Sequence, residues 1–146
     1  MIVAILIKSK INASKSELGT LNALGLKKQN NAVLLREEKH IIGMLNKVKN
    51  YVTWGEIDKE TLKSLLKNRA MISNKKKYEW KEGEIEEFVD KLLNNQAWLK
   101  DKNIKNLFRL SPPKKGFKGS KKKQFSEGGE LGYRKEKINE LLLRMI

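Results

Sequence analysis

Short apolar runs and amphipathic segments alternate through the first 57 residues of the chain. Three of the runs, at residues 2–8, 31–37 and 51–57, are rich in β-branched or aromatic residues, which is typical of strands. The unbroken apolar character of residues 2–7 indicates a buried strand. These runs predict the strands of one small sheet.

Two amphipathic segments separate the three predicted strands. Ser14 and Glu17 have the spacing of a capping box, and Gly25 is placed to end that helix in a left-handed turn. A second helix is predicted over residues 39–49, because apolar side chains recur there at helical spacing. The order β-α-β-α-β predicts a compact unit whose sheet is covered by helices on one face.

The pattern changes after residue 57. Asp58 is placed to cap a helix, and an apolar stripe from Ile85 to Leu93 predicts another helix after a polar loop. A last amphipathic helix is predicted over residues 134–145. We therefore expect an α+β fold in three parts: a core at residues 1–57, a helical insertion at 58–107, and a final part at 108–146 whose helix packs back on the core.

Charge narrows the possible partners. The 146 residues include 32 Lys and Arg but 17 Asp and Glu, a formal net charge of +15. An anionic partner would relieve this self-repulsion, so we expect nucleic acid first and an anionic membrane second. No apolar run reaches the roughly 18–20 residues of a membrane span, and the first seven residues are too short for a signal peptide. With no cysteine and one histidine, we expect a soluble cytoplasmic protein without a disulfide or a metal site.

The densest basic segment lies between two apolar segments near the end of the chain. It has no Asp or Glu from Phe108 to Phe125, and its prolines and glycines leave it without helical or strand periodicity. A flexible solvated loop is one interpretation, and an extended arm laid along RNA is the other, with lysines on phosphates and aromatic rings stacked on unpaired bases. The candidate RNA contacts in this segment are Arg109, Lys114, Lys115, Phe117, Lys118, Lys121, Lys122, Lys123 and Phe125.

A second group of basic residues surrounds the first predicted helix. Lys8, Lys10 and Lys15 lie at the junction of the first strand and this helix, and Lys27 and Lys28 follow its end. On the predicted topology both sets lie near one rim of the sheet, so we expect a basic edge that binds RNA. Trp54, in the third predicted strand, fits either a place in the core or a contact with RNA.

Several motifs together resemble one known family. ALGLKK at residues 23–28 and HIIGMLNKVKNYVTWGE at 40–56 are similar to the universal large-subunit ribosomal protein family called L-thirty, or L-seven in eukaryotes. NKKK at 74–77, FRLSPPKKGF at 108–117 and KKKQFSEGGELGYRKEKINELLLRM at 121–145 resemble the longer form found in archaea and eukaryotes. The first strand follows Met1 without a long basic extension, so we expect the archaeal form.

The resemblance implies a ferredoxin-like core, no catalysis, no cofactor and no small-molecule substrate. It implies a structural role in the large ribosomal subunit, in the cytoplasm and away from membranes. The implied partners are large-subunit rRNA, with 5S rRNA nearby, and neighbouring ribosomal proteins. Carried onto this chain, the RNA-facing residues are Lys27, Lys28 and a basic arm from Arg109 to Arg134. Gly43 matches a family glycine, which we interpret as a close backbone approach to RNA or to the sheet.

We expect the basic arm to become ordered only on RNA. The alternative function is a free RNA-binding module or RNA chaperone that acts outside the ribosome. Glu37, Glu38 and His40, or Glu127 and Glu130, would also suit a Mg²⁺-dependent nuclease, but adjacent residues do not share one helical face. An RNA-recognition motif needs an aromatic pattern that these strands lack, and glutamates interrupt the basic face that a membrane-binding terminal helix would need.

Overall fold

The computed structural model describes residues 1–73 and 75–146 of the chain. The helices are α1 (Lys15–Leu24), α2 (Lys39–Lys47), α3 (Lys59–Arg69), α4 (Glu84–Leu93) and α5 (Ile138–Met145). The strands are β1 (Ile2–Leu6), β2 (Asn31–Leu35), β3 (Val52–Glu56), β4 (Met71–Ser73), β5 (Lys76–Lys77), β6 (Phe108–Arg109), β7 (Ser120–Gln124) and β8 (Gly129–Tyr133). Asn74, the first residue of the NKKK motif, lies outside the described residues.

A six-stranded sheet with the order β6-β2-β1-β3-β8-β7 forms the centre of the protein. Strand β1 pairs antiparallel with both β2 and β3, and β8 pairs parallel with β3. The chain order β1-α1-β2-α2-β3 confirms the predicted core and the α+β fold class. Strands β6 and β8, which belong to the last part of the chain, close the two edges that a three-stranded sheet would leave unpaired.

Strand β1 is buried on both faces of the sheet, which explains its unbroken apolar run. Ile2, Ala4 and Leu6 pack under α1 and α2, as predicted for the first 57 residues. Val3 and Ile5 point the other way, into a second apolar cluster formed with α3, α4 and α5. A strand covered on both faces needs apolar side chains at successive positions. The later helices therefore lie on the sheet face opposite α1 and α2, while the three-part division of the chain remains a prediction.

The predicted helix ends are present with their expected chemistry. The Glu17 N–H donates to the Ser14 hydroxyl and the Ser14 N–H donates to the Glu17 carboxylate, both at 3.2 Å. Gly25 ends α1 at a φ of 85°, a left-handed conformation that favours glycine. Asp58 caps α3 by accepting the Thr61 N–H at 2.7 Å. Local sequence signals thus determine where these helices begin and end.

The last helix begins later than predicted. Its α-helical part starts at Ile138, and a 3₁₀ turn precedes it at Lys135–Lys137. Lys135 has a φ of 50°, which interrupts helical geometry just after Arg134. The predicted start at residue 134 is therefore wrong by one turn, because the chain must leave β8 before it can enter α5.

Candidate nucleic-acid interface

One end of the sheet, where β1 ends and β2 and β3 begin, is lined with basic side chains. Leu6 pairs with Val52, and its carbonyl accepts the Asn30 N–H at 2.7 Å, so the three strand ends lie side by side. Immediately beyond β1, the Lys8 N–H donates to the Tyr51 carbonyl at 3.0 Å. The Lys8 ammonium lies 6.0 Å from the centre of the Tyr51 ring and is exposed. Lys8 therefore belongs to this end of the sheet.

The turn between α1 and β2 adds two more lysines to the same end. Lys27 and Lys28 are exposed, and the Asn31 N–H donates to the Lys28 carbonyl at 3.1 Å, which closes the turn directly before β2. The Lys10 ammonium donates to the Asn22 side-chain oxygen at 3.4 Å. The loop after β1 and the end of α1 are therefore adjacent, as the sequence predicted.

Lys15 and Arg109 complete this group. Lys15 is exposed in the first turn of α1. Tyr51, directly before β3, lies beside this turn: its hydroxyl donates to the Asn12 carbonyl at 3.5 Å, and burial and then the Glu17 carboxylate raise its pKa. These interactions place the turn beside the start of β3. Arg109 is exposed in β6 opposite Asn31, the first residue of β2. We call this group the basic rim: Lys8, Lys10, Lys15, Lys27, Lys28 and Arg109.

The basic arm presents all six of its lysines to solvent. These are Lys114, Lys115, Lys118, Lys121, Lys122 and Lys123. Phe117 is half-buried against the core, with the Lys121 ammonium 4.7 Å from its ring centre, so its place favours anchoring over stacking. Phe125 is 36% exposed and lines an open cavity of about 550 Å³ together with Lys135 and Lys137. Of the two rings, Phe125 is the more exposed, and the Arg134 guanidinium lies 4.9 Å from its ring centre.

Arg134 differs from the other candidate residues because it lies inside the protein. Its side chain is 5% exposed and pairs with the Glu130 carboxylate at 2.9 Å. Its Nε donates to the Thr53 hydroxyl at 2.7 Å. Burial lowers the pKa of the guanidinium, while Glu130 opposes that shift. The structure thus separates Arg134 from the exposed cations and places it between β8 and β3.

Several contacts anchor the basic arm to the rest of the protein. The Ser111 N–H donates to the Met145 carbonyl at 3.1 Å, and the Lys114 N–H donates to the Arg144 carbonyl at 2.9 Å. Further along, the Gly119 N–H donates to the Glu130 carboxylate at 2.7 Å. These contacts anchor the arm before β7, and the run of three lysines lies within β7 itself. That the arm becomes ordered only on RNA remains a prediction.

The sequence analysis missed cations that the fold places beside the candidate surface. Helix α2 ends at Lys47, so Lys49 lies in the loop before β3, where its carbonyl accepts from the Gln124 side chain at 3.2 Å. Lys135 and Lys137 fall within the predicted last helix but line the Phe125 cavity in the structure. The antiparallel topology alone could have located Lys49, whereas no sequence signal marks the turn before α5.

The alternative sites are not assembled within residues 1–73 and 75–146. In this part of the chain no group of three or more His, Cys, Asp and Glu residues is arranged to hold a metal ion. Glu130 is occupied by Arg134, and His40 lies in an exposed contact with Glu38 at 3.2 Å. None of the helices described is long and apolar enough to cross a membrane.

Comparisons with known proteins identify the relatives of this chain. The family model described as ribosomal protein L30p/L7e matches residues 2–52, which are β1 to the start of β3. The large ribosomal subunit protein uL30 of Nanoarchaeum equitans is 42% identical over 96% of this chain and 95% of its own length. The uL30 protein of Methanosphaera stadtmanae is 39% identical over the full length of both chains. That of Methanococcus vannielii is 44% identical over 87% of this chain and 87% of its own length. The chain therefore belongs to the ribosomal protein L30p/L7e family, whose members are structural proteins of the large ribosomal subunit and not enzymes.

Proposed function

We propose that this chain binds large-subunit rRNA through the basic rim and the basic arm, in the vicinity of 5S rRNA, and so stabilises the fold of the large ribosomal subunit in the cytoplasm. The observation that carries the proposal is the common location of the basic rim: six cations from four separate segments meet at one end of the sheet. Neighbouring large-subunit proteins are its further partners.

The two basic surfaces suit different features of RNA. The lysines of the rim extend from short turns or from the start of α1, whose backbone is held by hydrogen bonds, so they present charge to phosphates from fixed backbone positions. The arm offers three successive exposed lysines and, one position beyond Gln124, the accessible ring of Phe125. Folded RNA exposes unpaired bases beside closely spaced phosphates, and stacking plus charge neutralisation recognises that combination.

Gly43 provides a test of close approach. It lies on the exposed side of α2, and a Cβ added there would meet nothing within 4 Å, so packing against the sheet does not require a glycine. Gly43→Ala is expected to raise the free energy of unfolding by about 1 kcal/mol and yet to reduce incorporation into the large subunit. Thermal melts and quantitative incorporation measure the two effects.

Gly19→Ala is the matched control for that variant. Gly19 lies mid-helix in α1, and no atom lies within 4 Å of the position that its Cβ would take, so a methyl group fits there as well. The Gly19→Ala substitution should stabilise the isolated protein similarly and leave incorporation unchanged. Equal incorporation of both variants would contradict a close contact at Gly43.

Sedimentation tests the proposed function itself. The tagged chain, expressed in an archaeal host, is expected to sediment with the large subunit on a sucrose gradient at high magnesium. It should also remain there after a moderate salt wash, because contacts to many phosphates dissociate only at higher salt. Recovery at the top of the gradient, with other RNA or with none, would instead support the RNA-binding module outside the ribosome.

A further inference from the structure

The end of the sheet opposite the basic rim carries an open apolar groove. Here β1 begins and its neighbours end, with Ile2 paired to Glu56 of β3. The groove has a volume of about 240 Å³ and an apolar floor of Ile2, Ile42, Trp54 and Tyr133. Trp54 is 4% exposed, whereas Ile42 and Tyr133 are 36% and 44% exposed. The floor is therefore partly core and partly accessible apolar surface.

Two carboxylates line this groove, and others lie in the cavity next to it. Glu37 and Glu56 line it, and Glu56 also lines an adjacent cavity with Asp58, Glu136 and Glu140. Among the described residues that line either cavity, none is Lys or Arg. On a chain with a formal net charge of +15 this is a local reversal of sign. Phosphate groups are therefore repelled from these two cavities.

Tyr133 lies close to the carboxylates of the groove, which act on its phenol. Its phenol donates a hydrogen bond to the Glu56 carboxylate, and its ring centre lies 6.0 Å from that of Trp54. The hydrogen bond to Glu56, burial, and the charges of Glu56, Glu37 and Glu136 together raise the pKa of Tyr133 to about 12. Three carboxylates thus act on one accessible aromatic ring.

We infer that this groove binds an arginine side chain from a basic segment of a neighbouring protein. An aromatic and aliphatic floor suits the apolar stem and the flat guanidinium, and the carboxylates at the margin accept its N–H groups. A divalent cation fits less well, because the described residues hold no group of three potential ligands in metal-binding positions. Charge complementarity thus selects a cation with an apolar stem.

The groove and the basic rim can be occupied together. They lie at opposite ends of β1, whose five residues span roughly 16 Å at ~3.3 Å per residue. This separation exceeds the Debye length of about 8 Å at physiological salt, so the opposite charges at the two ends are largely screened from each other. A basic protein segment at the groove would therefore leave the basic rim free for RNA.

A peptide titration without RNA tests the inference. Unlabelled peptide of four alternating arginine–valine pairs is added to the ¹⁵N-labelled full chain and followed by NMR. The expected result is that chemical-shift changes concentrate at Glu37, Ile42, Glu56, Tyr133 and the indole N–H of Trp54. Shifts spread over all acidic surfaces, or equal shifts at the groove with spermidine, would overturn the assignment to a protein side chain.

Variants separate the groove from general charge. Glu37→Gln combined with Glu56→Gln is expected to weaken peptide binding roughly tenfold, because two half-exposed ion pairs are lost. Glutamine at position 56 still accepts from Tyr133, so the fold should be kept, which circular dichroism checks. Glu79→Gln combined with Glu82→Gln makes the same charge change at exposed positions outside both cavities and should bind as the parent does. Equal weakening in both double variants would overturn the inference.

Discussion

Glu130→Ala is expected to lower the free energy of unfolding by about 3–5 kcal/mol, the typical cost of leaving a buried charge without its partner. Glu130 and Arg134 are both 5% exposed, and their side chains meet at 2.9 Å. The alanine variant leaves the guanidinium with the Thr53 hydroxyl and a backbone carbonyl but no carboxylate. It also removes the acceptor of the Gly119 N–H. The melting temperature should fall by roughly 10–15 °C.

Two further variants show whether the buried pair is the cause. Glu127→Ala removes an exposed carboxylate from the same arm and should change the free energy of unfolding by less than about 0.5 kcal/mol. Glu130→Met combined with Arg134→Met replaces both charges by apolar groups and should recover much of the stability, since no unpaired charge remains. Equal melting temperatures for Glu130→Ala and Glu127→Ala would refute the structural role of the pair.

The sequence alone could not separate Arg134 from the candidate RNA contacts. Within the basic arm an arginine is indistinguishable from its exposed neighbours. Its burial depends on Thr53, which is 81 positions away in the chain and supplies the hydroxyl that Nε binds. Glu130 is four positions away, but the spacing of two charges does not reveal whether they face the interior. Long-range contacts of this kind leave no local pattern.

The elements that sequence predicted well are those with local causes. The capping box at Ser14 and the left-handed Gly25 determine the ends of α1, and the apolar runs determine β1 to β3. Strand β7 escaped prediction because its SKKKQ sequence has no apolar alternation. It extends beside β8 through backbone pairing, with Ser120 opposite Gly129, and its lysines remain in solvent.

The candidate interface was partly predictable for a similar reason. Antiparallel strands necessarily bring the end of β1 beside the starts of β2 and β3, so Lys8, Lys27 and Lys28 could be grouped from topology alone. Arg109 reaches the same place only because β6 pairs with β2, which sets Arg109 opposite Asn31 although the two are far apart in the chain. The acidic groove at the other end needed β8 beside β3, which the sequence did not predict.

Replacement of Lys121, Lys122 and Lys123 by glutamine is expected to weaken binding to large-subunit rRNA roughly 50-fold at about 0.15 M salt, because three phosphate contacts are lost. Each lysine is exposed in β7. A protein that loses three phosphate contacts on single-stranded RNA loses up to ~0.7 log units of salt slope for each of them, or ~2 units together. Filter binding to purified archaeal large-subunit rRNA at several potassium chloride concentrations measures both the affinity and the slope.

The decisive comparison is with a triple variant of equal charge. Lys67, Lys81 and Lys100 are exposed but belong to neither the basic rim nor the basic arm, so their replacement by glutamine changes the net charge equally. If the RNA contacts are localised, this control should retain nearly the parental slope and affinity, while the β7 variant loses both. If the two variants weaken binding to the same extent, the attraction comes from the net charge of the whole protein, and the basic arm has no special part in it. Limited proteolysis of the parent tests order separately from binding. Cleavage at residues 121–123 should be suppressed by rRNA if the arm becomes ordered on it, and cleavage that is already absent without RNA would contradict that prediction.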